Sequence, residues 1–158
     1  MRTLAFPVLW LCAAGLAVAQ PQLTPLDVPG YQKLLAANKG QILLVDFWAT
    51  WCEPCLKELP ELVQLHKRLA GRFKLITVSA DDPEQQEDAR KFLARFGVPP
   101  PWYIKRSRDD DAFIRAVDPG WSGALPALFV YDRQGRKVAS FVGETAIEVI
   151  EAAIRKLP

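Results

Sequence analysis

The chain has 158 residues, the length of one ordinary domain, and half of its residues are hydrophobic. Its 20 basic and 18 acidic side chains nearly cancel, which leaves a formal net charge of +2 at pH 7. This balance excludes the dense positive surface that nucleic-acid-binding proteins use, and it provides no basis for attraction to an anionic membrane. We therefore predict a single globular domain without a nucleic-acid partner.

The first twenty residues, MRTLAFPVLWLCAAGLAVAQ, have the pattern of an export signal. One basic residue, Arg2, precedes an apolar run that ends in Ala-Val-Ala, the kind of small-residue sequence at which signal peptides are cut. We predict a signal peptide over residues 1–19 and a mature domain over residues 20–158. A retained N-terminal membrane anchor is the alternative, although the run is shorter than the roughly 20 residues of a spanning helix and contains Pro7.

Cleavage would change both the cysteine content and the compartment of the protein. Of the three cysteines, Cys12 leaves with the peptide, so the mature domain keeps only Cys52 and Cys55. Lipid attachment at Cys12 is disfavoured because the bulky Leu11 precedes it where a small residue is expected. We predict a periplasmic or otherwise extracytoplasmic protein, in a compartment where disulfides form and persist.

Strands and helices are predicted to alternate along the mature domain, after an irregular lead-in over residues 20–29. Helices are marked by apolar residues three or four apart, and buried strands by short continuous apolar runs. In residues 98–123 the pattern is weaker, with a short extended stretch at PPPWYI and a helical turn or two at DDDAFIRAV. The clearer elements are helices over 31–38, 56–69, 82–97 and 145–157, and strands over 41–48, 73–79, 127–132 and 137–142.

The order of these elements predicts an α/β fold. Two buried strands separated by a helix form a parallel β-α-β unit with a right-handed crossover. The last two strands form a hairpin around Arg133-Gln134-Gly135 and add an antiparallel edge. We therefore predict a mixed central β-sheet flanked by helices on both faces.

The two remaining cysteines lie at the start of the second predicted helix, in the sequence WCEPC. Cys52 and Cys55 are one helical turn apart, so their sulfur atoms lie on the same side of the helix. The unpaired N–H groups at a helix start favour a thiolate, and the cationic Lys57 adds to this effect. We predict a redox-active pair, with Cys52 as the exposed nucleophile and Cys55 as the resolving thiol.

Two other roles for the pair are weaker. A structural crosslink over so short a loop would stabilise the fold by only about 2 kcal/mol. A metal site needs further ligands, and His66, the only histidine, is predicted to be a solvated residue on the helix. We therefore expect neither a structural disulfide nor a bound metal.

The sequence VDFWATWCEPC, followed by Pro60, resembles the thioredoxin superfamily. The form WCEPCLKELP is most similar to the exported thioredoxin-like proteins of the TlpA/ResA group, over about residues 31–157. The resemblance implies a thioredoxin-like fold and an enzyme that exchanges thiols and disulfides through its own cysteine pair, without a bound cofactor.

Two acidic residues match positions that matter in these families. Asp46 falls where thioredoxins place a buried acid that assists proton transfer at the resolving cysteine, and the alternative is an Asp at a water-exposed strand end. Glu58 matches an acidic residue of the ResA-like motif that influences cysteine acidity, because a nearby carboxylate raises a thiol pKa. Its alternative is a solvated helix charge. By resemblance, both are counted with Cys52 and Cys55 as catalytic residues.

The resemblance also implies a surface that binds the substrate. Leu125-Pro126 is similar to the superfamily's cis-proline loop, which offers its backbone to an extended substrate segment. Trp51 and Trp121 are expected to form an apolar docking rim beside this loop. The predicted substrate-binding residues are Trp51, Glu53, Pro54, Trp121, Leu125 and Pro126.

Two functions from different classes remain open at this point. Members of the group are usually reductants of protein disulfides, recharged by a membrane-embedded electron donor, and serve cytochrome c maturation or copper-site assembly. We expect this protein to act as a monomer. The alternative is a copper or zinc carrier that uses the same cysteine pair. Residues 98–123 depart from the family pattern and do not match it residue by residue, and they are either a segment that chooses the partner or a solvated excursion.

Overall fold

The computed structural model of the chain describes residues 21–158, so the predicted signal peptide and Cys12 lie outside the described residues. The strands are β1 (Leu23–Leu26), β2 (Ile42–Trp48), β3 (Phe73–Ser79), β4 (Trp102–Lys105), β5 (Ala127–Tyr131) and β6 (Lys137–Val142). The helices are α1 (Val28–Ala37), α2 (Glu53–Arg68), α3 (Gln86–Arg95), α4 (Asp110–Val117) and α5 (Ile147–Arg155), with a 3-10 turn (Pro83–Gln85) before α3. Between residues 21 and 158, no helix combines the length and the apolar character needed to cross a bilayer.

The strands form one sheet with the order β1-β4-β3-β2-β5-β6. Strands β1 to β4 pair in parallel, whereas β5 is antiparallel to β2 and β6 is antiparallel to β5. The predicted parallel β-α-β unit and antiparallel hairpin are both present. The fold is the predicted α/β arrangement with a mixed sheet.

Strand β2 lies at the centre of the sheet and contributes side chains to the core on both faces. Successive side chains of a strand point to opposite faces. Leu44 and Trp48 therefore pack in the layer covered by α2, α3 and α5, and Val45 and Phe47 pack in the layer covered by α1 and α4. This two-sided burial explains why QILLVDFW is apolar without alternation.

The prediction of an irregular lead-in was wrong, because residues 23–26 form the edge strand β1. Leu23 and Leu26 are buried, and Leu23 lies opposite Trp102 of β4 in the parallel register. Pro25 is tolerated because an edge strand has one row of N–H groups that makes no ladder bonds. Helix α1 begins directly afterwards, capped by the Asp27 carboxylate, which accepts a hydrogen bond from the Gly30 N–H at 2.8 Å.

Residues 98–123 are part of the core, so the expectation of a solvated excursion was wrong. The strand β4 completes the parallel part of the sheet, and α4 covers the opposite face from α2. Asp109 caps α4 by accepting a hydrogen bond from the Ala112 N–H at 2.9 Å. Phe113 of α4 is buried, with its ring centroid 6.2 Å from that of Phe47. The segment therefore supplies part of the apolar layer between the sheet and helices α1 and α4.

Candidate redox site

The cysteine pair lies at the start of helix α2, just after the end of the central strand β2. Cys52 is the N-cap residue of α2, and its Sγ accepts a hydrogen bond from the Cys55 N–H at 3.3 Å. The two cysteines form a disulfide, with their Cα atoms 5.3 Å apart. Cys52 is 6% exposed and Cys55 is 1% exposed. The sulfur of Cys52 is thus the one nearer the surface, in the position that favours a thiolate.

A buried carboxylate that the sequence analysis missed holds the loop before Cys52. Asp81 is 1% exposed and accepts hydrogen bonds from the Thr50 N–H at 2.9 Å, the Thr50 Oγ1–H at 2.6 Å and the Ser79 Oγ–H at 2.7 Å. The available signal was its position directly after β3, because the carboxyl ends of neighbouring parallel strands meet at one edge of a sheet. Asp81 therefore fixes where the cysteines sit relative to the sheet.

The neighbours of Cys52 include an exposed aromatic side chain and an ion pair on the first turns of α2. Trp51 is 61% exposed, which leaves its ring free for contact with a partner. Glu53 is exposed and Pro54 half-buried on the first turn of α2. Lys57 Nζ lies 2.9 Å from the Glu53 carboxylate, and this pairing lowers the pKa of Glu53. The same pairing raises the pKa of Lys57, so Lys57 is the predicted cation near the helix start, with Glu53 as its partner.

Asp46 is buried in the layer that contains the disulfide, so the water-exposed alternative was wrong. It is 1% exposed and lies on the same face of β2 as Leu44 and Trp48, which belong to the same buried layer as Cys55. Its Oδ2 has no hydrogen-bond partner among the described residues. Burial, and then the charge of Glu58, raise the pKa of Asp46 well above its usual range. Its carboxyl is therefore suited to hold a proton near neutral pH.

Glu58 is also buried, so it is not the solvated helix charge of the alternative interpretation. It is 8% exposed, and neither carboxylate oxygen makes a hydrogen bond within residues 21–158. Burial raises the pKa of Glu58 to about 7, and the carboxylates of Glu61 and Glu144 act in the same direction. The Thr145 N–H favours the ionised form but is not aligned for a regular hydrogen bond. Glu58 lines a cleft of about 330 Å³ beside α2.

The Leu125-Pro126 loop lies at the same edge of the sheet as the disulfide. Pro126 immediately precedes β5, and Ala127 lies opposite Phe47 near the end of β2. The Leu125–Pro126 peptide bond is cis, and the Pro126 carbonyl accepts a hydrogen bond from the Gly143 N–H at 2.9 Å. Leu125 is half-buried. The antiparallel register of β5 thus brings this loop to the end of β2, where the cysteine loop begins.

Trp121 is not part of an exposed docking rim, and that prediction was wrong. It is 8% exposed, and its ring centroid lies 4.9 Å from that of Phe47 and 5.4 Å from that of Phe129. Its Nε1–H donates a hydrogen bond to the Ala124 carbonyl at 2.8 Å. Trp121 therefore supports the Leu125-Pro126 loop from below, and Trp51 supplies the exposed aromatic surface.

Comparisons with known proteins agree with this geometry. The AhpC/TSA family matches residues 18–139. The thiol-disulfide oxidoreductase ResA of Bacillus thuringiensis (strain Al Hakam) is 26% identical over 138 residues, which cover 87% of this chain and 75% of ResA. ResA of Geobacillus kaustophilus (strain HTA426) is 27% identical over 148 residues, covering 92% of this chain and 79% of the relative.

A solved structure shows the same fold. The thiol:disulfide interchange protein of the thioredoxin family from Chlorobium tepidum TLS is 26% identical and superposes with a TM-score of 0.65. The match covers 77% of this chain and 83% of that one. With a disulfide at the start of α2, the chain belongs to the AhpC/TSA family and is a thioredoxin-like thiol–disulfide oxidoreductase.

Proposed function

We propose that this oxidoreductase acts outside the cytoplasm as a reductant of protein disulfides. The observation that carries the proposal is the Cys52–Cys55 disulfide at the start of α2, beside the exposed Trp51. A dithiol at a helix start is a redox centre rather than a brace, because it joins no distant parts of the chain. The apolar N-terminal run supports export, and the ResA relatives support the choice of chemistry.

The reaction begins from the reduced protein. The Cys52 thiolate attacks one sulfur of a partner's disulfide, forms a mixed disulfide and releases the other partner sulfur as a thiolate, which takes up a proton. Cys55 then gives its proton to Asp46, and its thiolate attacks Cys52 Sγ. The second partner sulfur leaves as a thiolate and is protonated in turn. The partner has gained two electrons and two protons, and the Cys52–Cys55 disulfide has formed.

The substrate would bind across the edge of the sheet where the disulfide lies. Trp51 offers an apolar contact beside the attacked sulfur, with Glu53 and Pro54 on the adjoining turn. The backbone at Leu125-Pro126 lies at the end of β2 and could pair with an extended segment of the partner. Such a surface suits a flexible or unfolded chain that carries a disulfide.

Two partners complete the cycle in this proposal. A membrane-embedded electron donor returns two electrons and two protons to the disulfide. The substrate proteins are those of cytochrome c maturation or copper-site assembly, and the protein acts as a monomer. The support for these roles is the similarity of WCEPCLKELP to the TlpA/ResA group and the presence of ResA proteins among the relatives.

A trapping experiment tests the roles of the two cysteines. In Cys55→Ser the mixed disulfide cannot be resolved, so a covalent complex with a protein substrate should accumulate on non-reducing gels. Cys52→Ser is the matched control and should form no complex. If Cys52→Ser traps the substrate and Cys55→Ser does not, the roles are reversed.

The reduction potential of the pair tests the direction of the reaction. Thioredoxin lies at about −270 mV and the oxidant DsbA at about −120 mV, with the same spacing of cysteines. We expect a value toward the thioredoxin end, measured by equilibration with glutathione or dithiothreitol. A value close to that of DsbA would overturn the proposal of a reductant and leave the exchange activity intact.

The metal-carrier alternative is tested by titration. Within residues 21–158, no three His, Cys, Asp or Glu side chains come together in a group that could hold a metal ion. Copper(I) and zinc are titrated into the reduced protein, with Cys52→Ser as the control. Tight one-to-one binding without turnover of protein disulfides would favour the carrier, whereas turnover without tight binding supports the oxidoreductase.

A further inference from the structure

Asp46 and Glu58 bring two carboxyl groups into the layer that holds the resolving cysteine. Asp46 lies on β2 between Leu44 and Trp48, and both of these residues belong to the same buried apolar layer as Cys55. Glu58 lies one helical turn after Cys55 on α2. The two carboxyl groups therefore lie in the layer around Cys55, one from the sheet and one from the helix.

Three of the four oxygen atoms of these carboxyl groups make no regular hydrogen bond within the described part of the chain. Asp46 Oδ2 and both oxygens of Glu58 are buried without a hydrogen bond. Thr77, which lies beside Asp46 on β3, also has an unpaired buried Oγ1. Buried polar atoms in native proteins are nearly always satisfied, and the exceptions often mark a functional role or a bound water.

Only one of the two carboxyl groups is near solvent. Asp46 is 1% exposed, whereas Glu58 lines the cleft beside α2 together with Glu61, Glu144 and Lys57. Lys57 is already paired on the helix surface. Because no ion pair among residues 21–158 involves Asp46 or Glu58, ionising both would bury two like charges in one layer.

We propose that Asp46 and Glu58 act in series as a proton relay, in which the pair carries one proton and one negative charge and connects Cys55 to the cleft. The inference rests on the proposed function and adds a route for the proton that Cys55 must lose. Glu58 is the solvent-side member and Asp46 the cysteine-side member. A single shared charge lets Asp46 ionise by passing its proton to Glu58, so the layer never holds two negative charges.

The proton balance of the relay follows from the resolving step. The ionised Asp46 takes the proton of the Cys55 thiol, and the Cys55 thiolate attacks Cys52 Sγ. The bond between Cys52 and the partner sulfur breaks, and the partner leaves as a thiolate. Asp46 then holds the proton of Cys55, while Glu58 has released its own to water in the cleft. One proton leaves the protein, and one is taken up from water by the released thiolate.

A kinetic cycle tests whether the two residues act in series. The mixed disulfide of the full-length protein with a small-molecule thiol is prepared at Cys52, and its resolution by Cys55 is followed by stopped flow near pH 7. Asp46→Asn and Glu58→Gln should each slow resolution by about 100-fold, the lower part of the range for positioned general bases. Asp111→Asn, a change at an exposed carboxylate on α4 at the opposite face of the sheet, is the control and should resolve at close to the wild-type rate.

The double variant separates a relay from two independent effects. In a relay, Asp46→Asn with Glu58→Gln is no slower than the slower single variant, because either change breaks the same path. Multiplied effects, or an unchanged or faster Glu58→Gln, would overturn the proposal. If the wild-type mixed disulfide does not resolve at all, the proposed function itself fails, so the two failures are distinguishable.

A titration of the oxidised protein provides a readout that a merely structural role would not change. Carboxyl carbons are followed by NMR, while the cysteines do not titrate because they form the disulfide. Glu58→Gln should lower the pKa of Asp46, because the charge of Glu58 is one of the two causes that raise it. An unchanged pKa of Asp46 in this variant would show that the carboxyl groups share no charge and would overturn the relay.

Discussion

At the level of single residues, the site depends on two carboxyl groups placed where charge is costly. Asp46 and Glu58 are both buried, and the pKa of each is raised chiefly by that burial. A carboxyl without a partner in a low-dielectric layer stays protonated to a higher pH than usual. Each residue therefore reduces the free energy of unfolding at a pH at which its buried carboxyl would ionise.

The raised pKa of Glu58 predicts a pH-dependent gain in stability when the charge is removed. The folded chain binds a proton at Glu58 up to a pKa of about 7, against an ordinary value of 4.5, so the unfolding free energy falls as the pH rises through that window. Glu58→Gln should therefore be more stable than wild type by about 1–2 kcal/mol at pH 8, with solvent in the cleft reducing the full effect.

The same measurement has a matched control and a contrary outcome. Denaturant unfolding at pH 4 should give nearly equal stability for wild type and Glu58→Gln, because both states are then protonated. Asp111→Asn, a change at an exposed carboxylate on the other face of the sheet, should show little pH-dependent difference. A gain in Glu58→Gln of the same size at pH 4 and pH 8 would contradict an ionisation effect.

Trp51 is predicted to act in binding and not in folding. Truncating an exposed aromatic that anchors a partner costs roughly tenfold in affinity, whereas surface changes alter stability by about 0.5 kcal/mol or less. Trp51→Ala should therefore lower kcat/KM for a protein disulfide about tenfold and leave the unfolding midpoint nearly unchanged. Val138→Ala is the control. Val138 is also exposed, but it lies on β6 beside the end of β5 that is opposite to the Leu125-Pro126 loop. An equal loss of kcat/KM in both variants would contradict a specific role of Trp51 in binding.

At the level of elements, the site is the junction of three strand ends. The end of β2 carries the cysteine loop, the end of β3 leads into Asp81, and the start of β5 follows Pro126. Asp81 joins the first two by accepting hydrogen bonds from Thr50 and Ser79. The position of the disulfide thus depends on contacts between segments that are distant in the sequence.

Asp81→Asn should loosen this junction. The amide keeps one acceptor oxygen but loses the charge that strengthens the hydrogen bonds to Thr50, and a buried unsatisfied group costs about 1–3 kcal/mol. We expect a loss of that size in unfolding free energy, together with faster amide hydrogen exchange at Thr50 and Cys52. The exposed Asp111→Asn is the control and should change stability little. Unaltered exchange at Thr50 would show that Asp81 does not hold the loop.

At the level of the whole molecule, stability comes from two apolar layers and not from the disulfide. One layer lies between the sheet and α2, α3 and α5, and the other between the sheet and α1 and α4. Tyr31 and Tyr131, whose hydroxyl groups share a hydrogen bond of 2.6 Å, link α1 to β5 in the second layer. The disulfide closes a short local loop at the edge of this core.

Removing the disulfide should therefore leave the fold intact. The loop-entropy estimate for so short a loop is about 2 kcal/mol, which is a minor part of the stability of a domain of this size. Cys52→Ser with Cys55→Ser should keep the circular dichroism spectrum of the wild type and lose no more than about that amount in denaturant unfolding. Reduced wild-type protein serves as the comparison. Loss of the fold in the double variant would show that the pair is a structural brace.

Local patterns in the sequence were sufficient for the elements and for the cysteine pair. The apolar runs predicted β2 and β3, and Cys-Glu-Pro-Cys predicted a helix start, because these signals depend on neighbours along the chain. The strand β1 was missed because four residues with a proline carry too little local signal. Its stability comes from pairing with β4, which lies far away in the sequence.

The sequence by itself determined which chemical groups are available. These are two cysteines one helical turn apart, a tryptophan directly before the first of them, and the acidic residues Asp46 and Glu58 on either side of the pair. Only the tertiary structure decided that Asp46 and Glu58 are both buried near Cys55, that Trp121 is covered, and that Asp81 holds the cysteine loop. Periodicity shows which face of an element a side chain occupies. Whether that face is covered, and which distant residues meet there, depends on how the layers pack.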